Sequence, residues 1–229
     1  MKLFKFRSIK YQQEMNTITR IIVENEVGTS LSSEWNDPRE GFWNPVEHMT
    51  TGLSDHADDY HRDCNSLTEI IDTSRSTSFC SEFNHPLMWG HYAQGYRGLA
   101  IMFDVEEGNN SYTLAPITYS DHAPNITWEN MREILSGVSN IWDHGILATK
   151  IEVWQYEKEY RLFPQDRTLE FISLKPSGVI FGMPEWTEAK RSENEKTVRR
   201  LCREQNIKMY HQNRYDGVGL ENLSELRDH

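Results

Sequence analysis

The sequence predicts an α+β fold with a mixed, mostly antiparallel sheet flanked by helices. Strand candidates outnumber helix candidates and do not alternate with them in a regular βαβ order. The 7 Trp, 9 Phe and 10 Tyr among 229 residues also supply enough apolar surface to close a core. The length suits a single domain over 1–229, with a polar insertion at about 39–75 and a charged helix at about 185–205.

Residues 2–7 alternate as a first strand ending at Arg7. A helix follows, with Asn16 as its N-cap, Ile18, Ile21 and Ile22 as its apolar stripe and Gly28 as its stop. Thr29–Ser32 reads as a second strand, and Trp35-Asn36-Asp37-Pro38 as a turn, because Asn and Asp bond their own backbone and Pro38 bars Asp37 from the helical region. The stretch 39–63 reads as a loop, with a helix from Tyr60 to Ile71.

Thr77–Cys80 is the next strand, and Pro86 opens a short helix at its first position. The apolar run from Gly98 to Phe103 predicts a strand buried on both faces, and Leu114–Tyr119 another. Apolar residues from Trp128 to Trp142 predict one helix over 125–143. Ile151–Phe163 and Leu169–Leu174 read as strands paired around Gln165-Asp166-Arg167. Val179–Phe181 is a strand closed by Gly182, Glu185–Gln205 a helix and Ile207–His211 a last strand.

With 24 Lys plus Arg against 35 Asp plus Glu, the net charge of −11 opposes broad nucleic-acid affinity, which needs many cations on phosphates. It leaves room for a small anionic nucleotide held by a few local residues. The 3 Cys are widely spaced, with no CxxC pair, so neither a disulfide framework nor a zinc site is expected, and the cytoplasm is the expected compartment. No apolar segment reaches membrane-spanning or signal-peptide length.

Three segments are rich in chemistry-bearing residues. In Pro86–Ala93, Met88 and Tyr92 share one helix face and Trp89 meets Tyr92, which reads as a core face or a binding face; His91 either donates to a ligand or caps a buried carbonyl, and Gly90, costly within a helix, suggests a close approach there. In Trp154–Leu162, period 2 puts Glu157, Glu159 and Arg161 on one face: two carboxylates and a guanidinium that either lace a solvated strand or line a cleft. Residues 53–64 are dense in Asp and His, but His56 and His61 are five apart, so no metal is expected. Asp216-Gly217-Val218-Gly219 reads as a turn, and Cys80 as a small buried hydrophobe.

Read in order, the segments at 3–7, 31–38, 79–81, 87–93, 98–104 and 154–161 resemble a mainly bacterial family catalogued as domain of unknown function 2971. In outline the chain is also similar to the ADP-ribosyltransferase-like fold. That second resemblance implies a split sheet and NAD as substrate, with Arg7 anchoring phosphate or ribose, Asn36 and Asp37 in the polar turn, and Trp89 or Tyr92 stacking on nicotinamide. Glu157 or Glu159 would then be the catalytic carboxylate, facing an oxocarbenium-like transition state. His91 and Arg161 complete the expected substrate-binding set.

The expected function is an NAD-consuming transferase or glycohydrolase, of the kind found among bacterial toxins and phage-defence effectors, with a protein or nucleic acid as acceptor. The alternatives are a non-catalytic nucleotide- or protein-binding sensor, and a nuclease using His91 with the glutamates.

Overall fold

The computed structural model describes residues 1–35, 37, 39–46, 56–182, 192–211 and 224–225. In chain order its first strands are β1 (Lys2–Arg7), β2 (Glu26–Gly28), β3 (Ser30–Leu31), β4 (Asn44–Val46) and β5 (Arg75–Cys80). They are followed by β6 (Leu99–Asp104), β7 (Tyr112–Pro116), β8 (Thr118–Tyr119), β9 (Asn125–Thr127) and β10 (Thr149–Lys150). The last are β11 (Glu159–Pro164), β12 (Phe171–Ser173), β13 (Pro176–Phe181), β14 (Lys208–His211) and β15 (Ser224–Glu225). The helices are α1 (Gln12–Thr19), α2 (Ala57–Thr73), α3 (Pro86–Tyr92), α4 (Trp128–Leu135) and α5 (Glu193–Glu204).

The fold is α+β. Its main sheet runs β15-β14-β13-β6-β1-β5-β11-β7, with β3 also on β5. Every pairing in it is antiparallel except β13 with β14. The sheet divides into two unequal parts. β1 pairs with β6 along all six residues, and β5 with β11 along Thr77–Cys80, but β1 and β5 share a single register pair, Phe4 with Cys80. One hydrogen-bonded path therefore crosses a joint one pair wide, where the resemblance implied a split.

Three buried clusters hold the layers. Leu3, Ile18, Ile21, Phe79, Phe103 and Val179 belong to one cluster, which also takes in Val198 of α5. On the opposite side Phe4, Phe6, Met88, Trp89 and Ile180 pack beneath α3. The third cluster, with Leu67, Ile71, Ile126, Met131 and Phe163, lies beneath α2 and α4, so the 39–75 stretch supplies core as well as polar surface. Each such side chain contributes about 1.5–3 kcal/mol by leaving water. Among the described residues no helix is long and apolar enough to cross a membrane.

Several boundaries differ from expectation. α1 begins after Tyr11, not at Asn16, because the Glu14 carboxylate accepts from the Tyr11 N–H at 2.9 Å and caps that end. It widens into a π turn over Arg20–Glu24 and stops at Asn25, whose φ of 57° is left-handed, so Gly28 is free to join β2. The helix expected over 125–143 is confined to α4 because Thr127 caps its start and Gly137 turns left-handed just beyond its end; a 3₁₀ turn occupies Ile141–His144.

Residues 152–157 form a 3₁₀ turn, not the first half of a strand. β12 pairs with β2, while β11 pairs with β5 and β7, so the hairpin expected around Gln165–Arg167 does not form. Residues 185–191 of the expected C-terminal helix and the turn at 216–219 lie outside the described residues.

Candidate functional site

The joint between β1 and β5 opens into a cavity of about 600 Å³. Beyond Phe4 and Cys80 the two strands are not in register, and the stretches Phe4–Arg7 and Thr77–Cys80 both line the opening. Arg7 reaches it from the end of β1. The backbone there is fixed by a close approach: a side chain on Gly98 would sit 2.3 Å from the Arg7 carbonyl oxygen.

One wall is an ion-pair cluster. β11 carries Glu159 and Arg161 on the same face, and the 3₁₀ turn before it delivers Glu157 through Lys158, whose φ of 44° reverses the chain direction between the two glutamates. Lys150, at the end of β10, meets both: its Nζ donates to Glu157 Oε2 at 2.6 Å and to Glu159 Oε2 at 3.1 Å, and lies 3.3 Å from Glu40 Oε1. Arg161 donates through Nε to Glu159 Oε1 at 2.7 Å, through Nη1 to the Leu147 carbonyl at 2.7 Å, and through Nη2 to Glu40. Its guanidinium lies 4.0 Å from the centre of the Trp35 ring. The Tyr92 hydroxyl donates to Glu157 Oε1 at 2.6 Å.

The electrostatics follow from burial and pairing. Burial opposes ionisation of Glu159, but Arg161 and then Lys150 outweigh it and hold the carboxyl at about 2. Burial also disfavours charge on Lys150, yet the three carboxylates around it raise its pKa above the ordinary lysine range. Burial lifts the Glu40 carboxyl against the pull of Arg161 and Lys150, and lifts the Tyr92 hydroxyl, with Glu157 adding to the effect. Three carboxylates face two cations, so the cluster carries one surplus negative charge when all are ionised.

The other wall differs. Lys5 Nζ reaches across the joint to Thr77 Oγ1 at 2.7 Å and the Ser78 carbonyl at 2.8 Å, with no carboxylate within ion-pair distance among the described residues. Among the described residues Arg7 has no salt bridge, and its buried Nε has no hydrogen-bond partner. Burial lowers the Arg7 pKa, with Glu14 acting against it.

Of the residues singled out in the sequence, Arg7, Asp37, Tyr92, Glu157, Glu159 and Arg161 line this one cavity. Asn36 lies outside the described residues. Trp89 does not reach the opening: it is fully buried, edge-on to Phe6 and stacked on Tyr96, with its indole N–H donating to the Phe83 carbonyl at 2.6 Å. The aromatic rings at the cavity are Trp35, Tyr92 and Trp154 instead. His91 is exposed, near the Tyr92 and Tyr156 rings, and is not among the residues that line the cavity. Gly90 is exposed and meets nothing within 4 Å, so no close approach explains it.

Sequence reading missed Lys5, Glu40 and Lys150. Lys5 left a signal, a lone charge among Leu3, Phe4 and Phe6, whereas Glu40 and Lys150 stand in polar surroundings that do not mark them. Among the described residues no group of three or more His, Cys, Asp or Glu could hold a metal ion.

No curated protein and no solved structure matches the chain. Residues 88–162, from α3 through the middle of β11, match the model described as "Protein of unknown function (DUF2971)". This stretch supplies Tyr92, Lys150, Glu157, Glu159 and Arg161 to the cavity and is the part of the chain that is similar to that family.

Proposed function

We propose that the cavity binds a small anionic nucleotide, NAD being the first candidate, and that Glu157 assists cleavage of its glycosidic bond. The observation that carries this reading is that an arginine without an ion partner among the described residues, Arg7, and a carboxylate bonded to a neutral hydroxyl, Glu157, line the same cavity. Arg7 suits a phosphate, because a guanidinium offers paired donors to oxyanions. Trp154 and Tyr92 offer rings for a base.

Glu157 is the better carboxylate for chemistry. A ribose hydroxyl is the same kind of donor as the Tyr92 hydroxyl and can take its place on one Glu157 oxygen while Lys150 keeps the other, whereas both oxygens of Glu159 are held by charged groups, Arg161 and Lys150. As the bond to nicotinamide lengthens, positive charge grows on the ribose ring, and the cluster's surplus negative charge stabilises it.

The test is incubation with NAD, with nicotinamide release followed by chromatography and binding by calorimetry. Glu157→Gln is expected to lower release by about 100-fold or more while the protein still binds NAD. Absence of both release and binding heat in the unmodified protein overturns the reading. A binding-only sensor is favoured by one observation: both oxygens of Glu157 and of Glu159 already accept hydrogen bonds. It predicts binding heat without nicotinamide.

A further inference from the structure

Lys5 plays no part in the glycosidic reading, yet it is the most unusually placed amine described in the chain. It stands on β1 two residues before Arg7, spans the joint, and lines the cavity. Among the described residues both acceptors of its Nζ are neutral, Thr77 Oγ1 and the Ser78 carbonyl, and the Phe79 ring centre lies 4.8 Å away. An ammonium has three N–H donors and a neutral amine two. The two neutral acceptors take both donors of the neutral form and leave its lone pair unengaged, while the Phe79 ring face is a weaker contact that favours the charged form.

Burial and a neighbouring cation oppose the charged form more strongly than the ring supports it. Burial, and then the charge of Arg7, push the Lys5 amine well below the ordinary lysine range, against a weaker opposing pull from Glu159. Desolvation beside a second cation is the environment that makes a lysine amine nucleophilic near neutral pH.

We propose that Lys5 is a carbonyl-reactive amine that forms an imine with a small anionic aldehyde or ketone seated in the cavity, with Arg7 holding the anionic group. The Nζ lone pair attacks the carbonyl carbon, and a proton passes from nitrogen to oxygen to give a carbinolamine. Loss of that oxygen as water leaves the carbon–nitrogen double bond. One amine and one carbonyl compound give one imine and one water, with no oxidant or reductant. Arg7 sits on the same strand face as Lys5, two residues on, where its guanidinium can fix a phosphate or carboxylate while the carbonyl meets the amine.

The probe is pyridoxal 5′-phosphate, a phosphorylated aldehyde, added in equimolar amount to the full chain at neutral pH. Borohydride then reduces any imine to a stable amine, and peptide mass spectrometry locates it. The expected result is a dominant adduct on Lys5, and pyridoxal without its phosphate should label that site about tenfold less. Arg7→Gln should erase most of that difference and, by removing the neighbouring charge, lower the labelling of Lys5 by both aldehydes. Label spread over surface lysines, or Lys5 unlabelled while they react, overturns the proposal. So does equal labelling by the two aldehydes. The main readout needs no substitution of Lys5, so a Lys5 variant that fails to fold does not obscure it. The experiment contains no NAD, so its failure and that of the glycosidic reading are separable.

Discussion

The two walls of the cavity solve opposite electrostatic problems. On the β11 side every charge has a partner: Lys150 meets three carboxylates, Arg161 meets two, and the Leu147 carbonyl takes a further donor. On the β1 side Lys5 and Arg7 stand, among the described residues, without a carboxylate within ion-pair distance, and Arg7 keeps an unbonded Nε. The first wall is complete without a ligand. The second has binding capacity left over, so the walls should respond differently to mutation: changes to the first cost stability, and changes to the second cost binding.

The largest effect expected is at Arg161. Replacing it with Met leaves Glu159 and Glu40 buried with Lys150 as their remaining cation, and should destabilise the fold by about 3–5 kcal/mol in urea denaturation. A loss under 1 kcal/mol would show that the wall is not held by its charges.

Next comes pH. Glu159 is held at about 2 against an ordinary 4.5, a depressed carboxylate, so its contribution is full above about 4.5 and is lost as pH falls toward 2. That contribution is on the order of 3 kcal/mol. Glu159→Gln should flatten the acid limb of the stability curve in this window; a limb unchanged in the variant would mean that other groups set it.

Arg7→Gln tests the other wall. NAD affinity measured by calorimetry should fall by about 10- to 100-fold, while the urea midpoint moves little. A large stability loss with unchanged affinity would reverse the roles of the two walls. The smallest effect belongs to Tyr92→Phe, which removes one hydroxyl donor from Glu157 and should cost about 1 kcal/mol, read by the same denaturation.

Much of the frame was legible because the local signals agree with the tertiary ones. The alternation of residues 2–7, Pro86 at a helix start and the apolar run before Asp104 each name their element directly. Trp154–Arg161 misled for a physical reason: its period-2 pattern fits a strand, but Lys158 in a left-handed conformation breaks it into a 3₁₀ turn and a strand that still deliver Glu157 and Glu159 to one lysine. Trp89 misled differently. An aromatic in a short helix signals burial or binding equally, and its indole N–H found a buried carbonyl. The ion-pair cluster was half legible, since Glu157, Glu159 and Arg161 share one segment, while Lys150 and Glu40 join them only through folding.

The joint one pair wide also sets how the sheet exchanges hydrogen with solvent. Along a strand, successive amides point to opposite edges, and on β1 one edge is fully laddered to β6 while the other, past Phe4, faces the opening. Amide protection along Lys5–Arg7 should therefore alternate, slow toward β6 and fast toward β5, within a strand whose side chains are otherwise core. The halves are kept together across that seam by side chains such as Phe79 against Phe103, whose ring centres are 5.4 Å apart. A ligand that closes the opening would erase the alternation, making β1 its own reporter of occupancy.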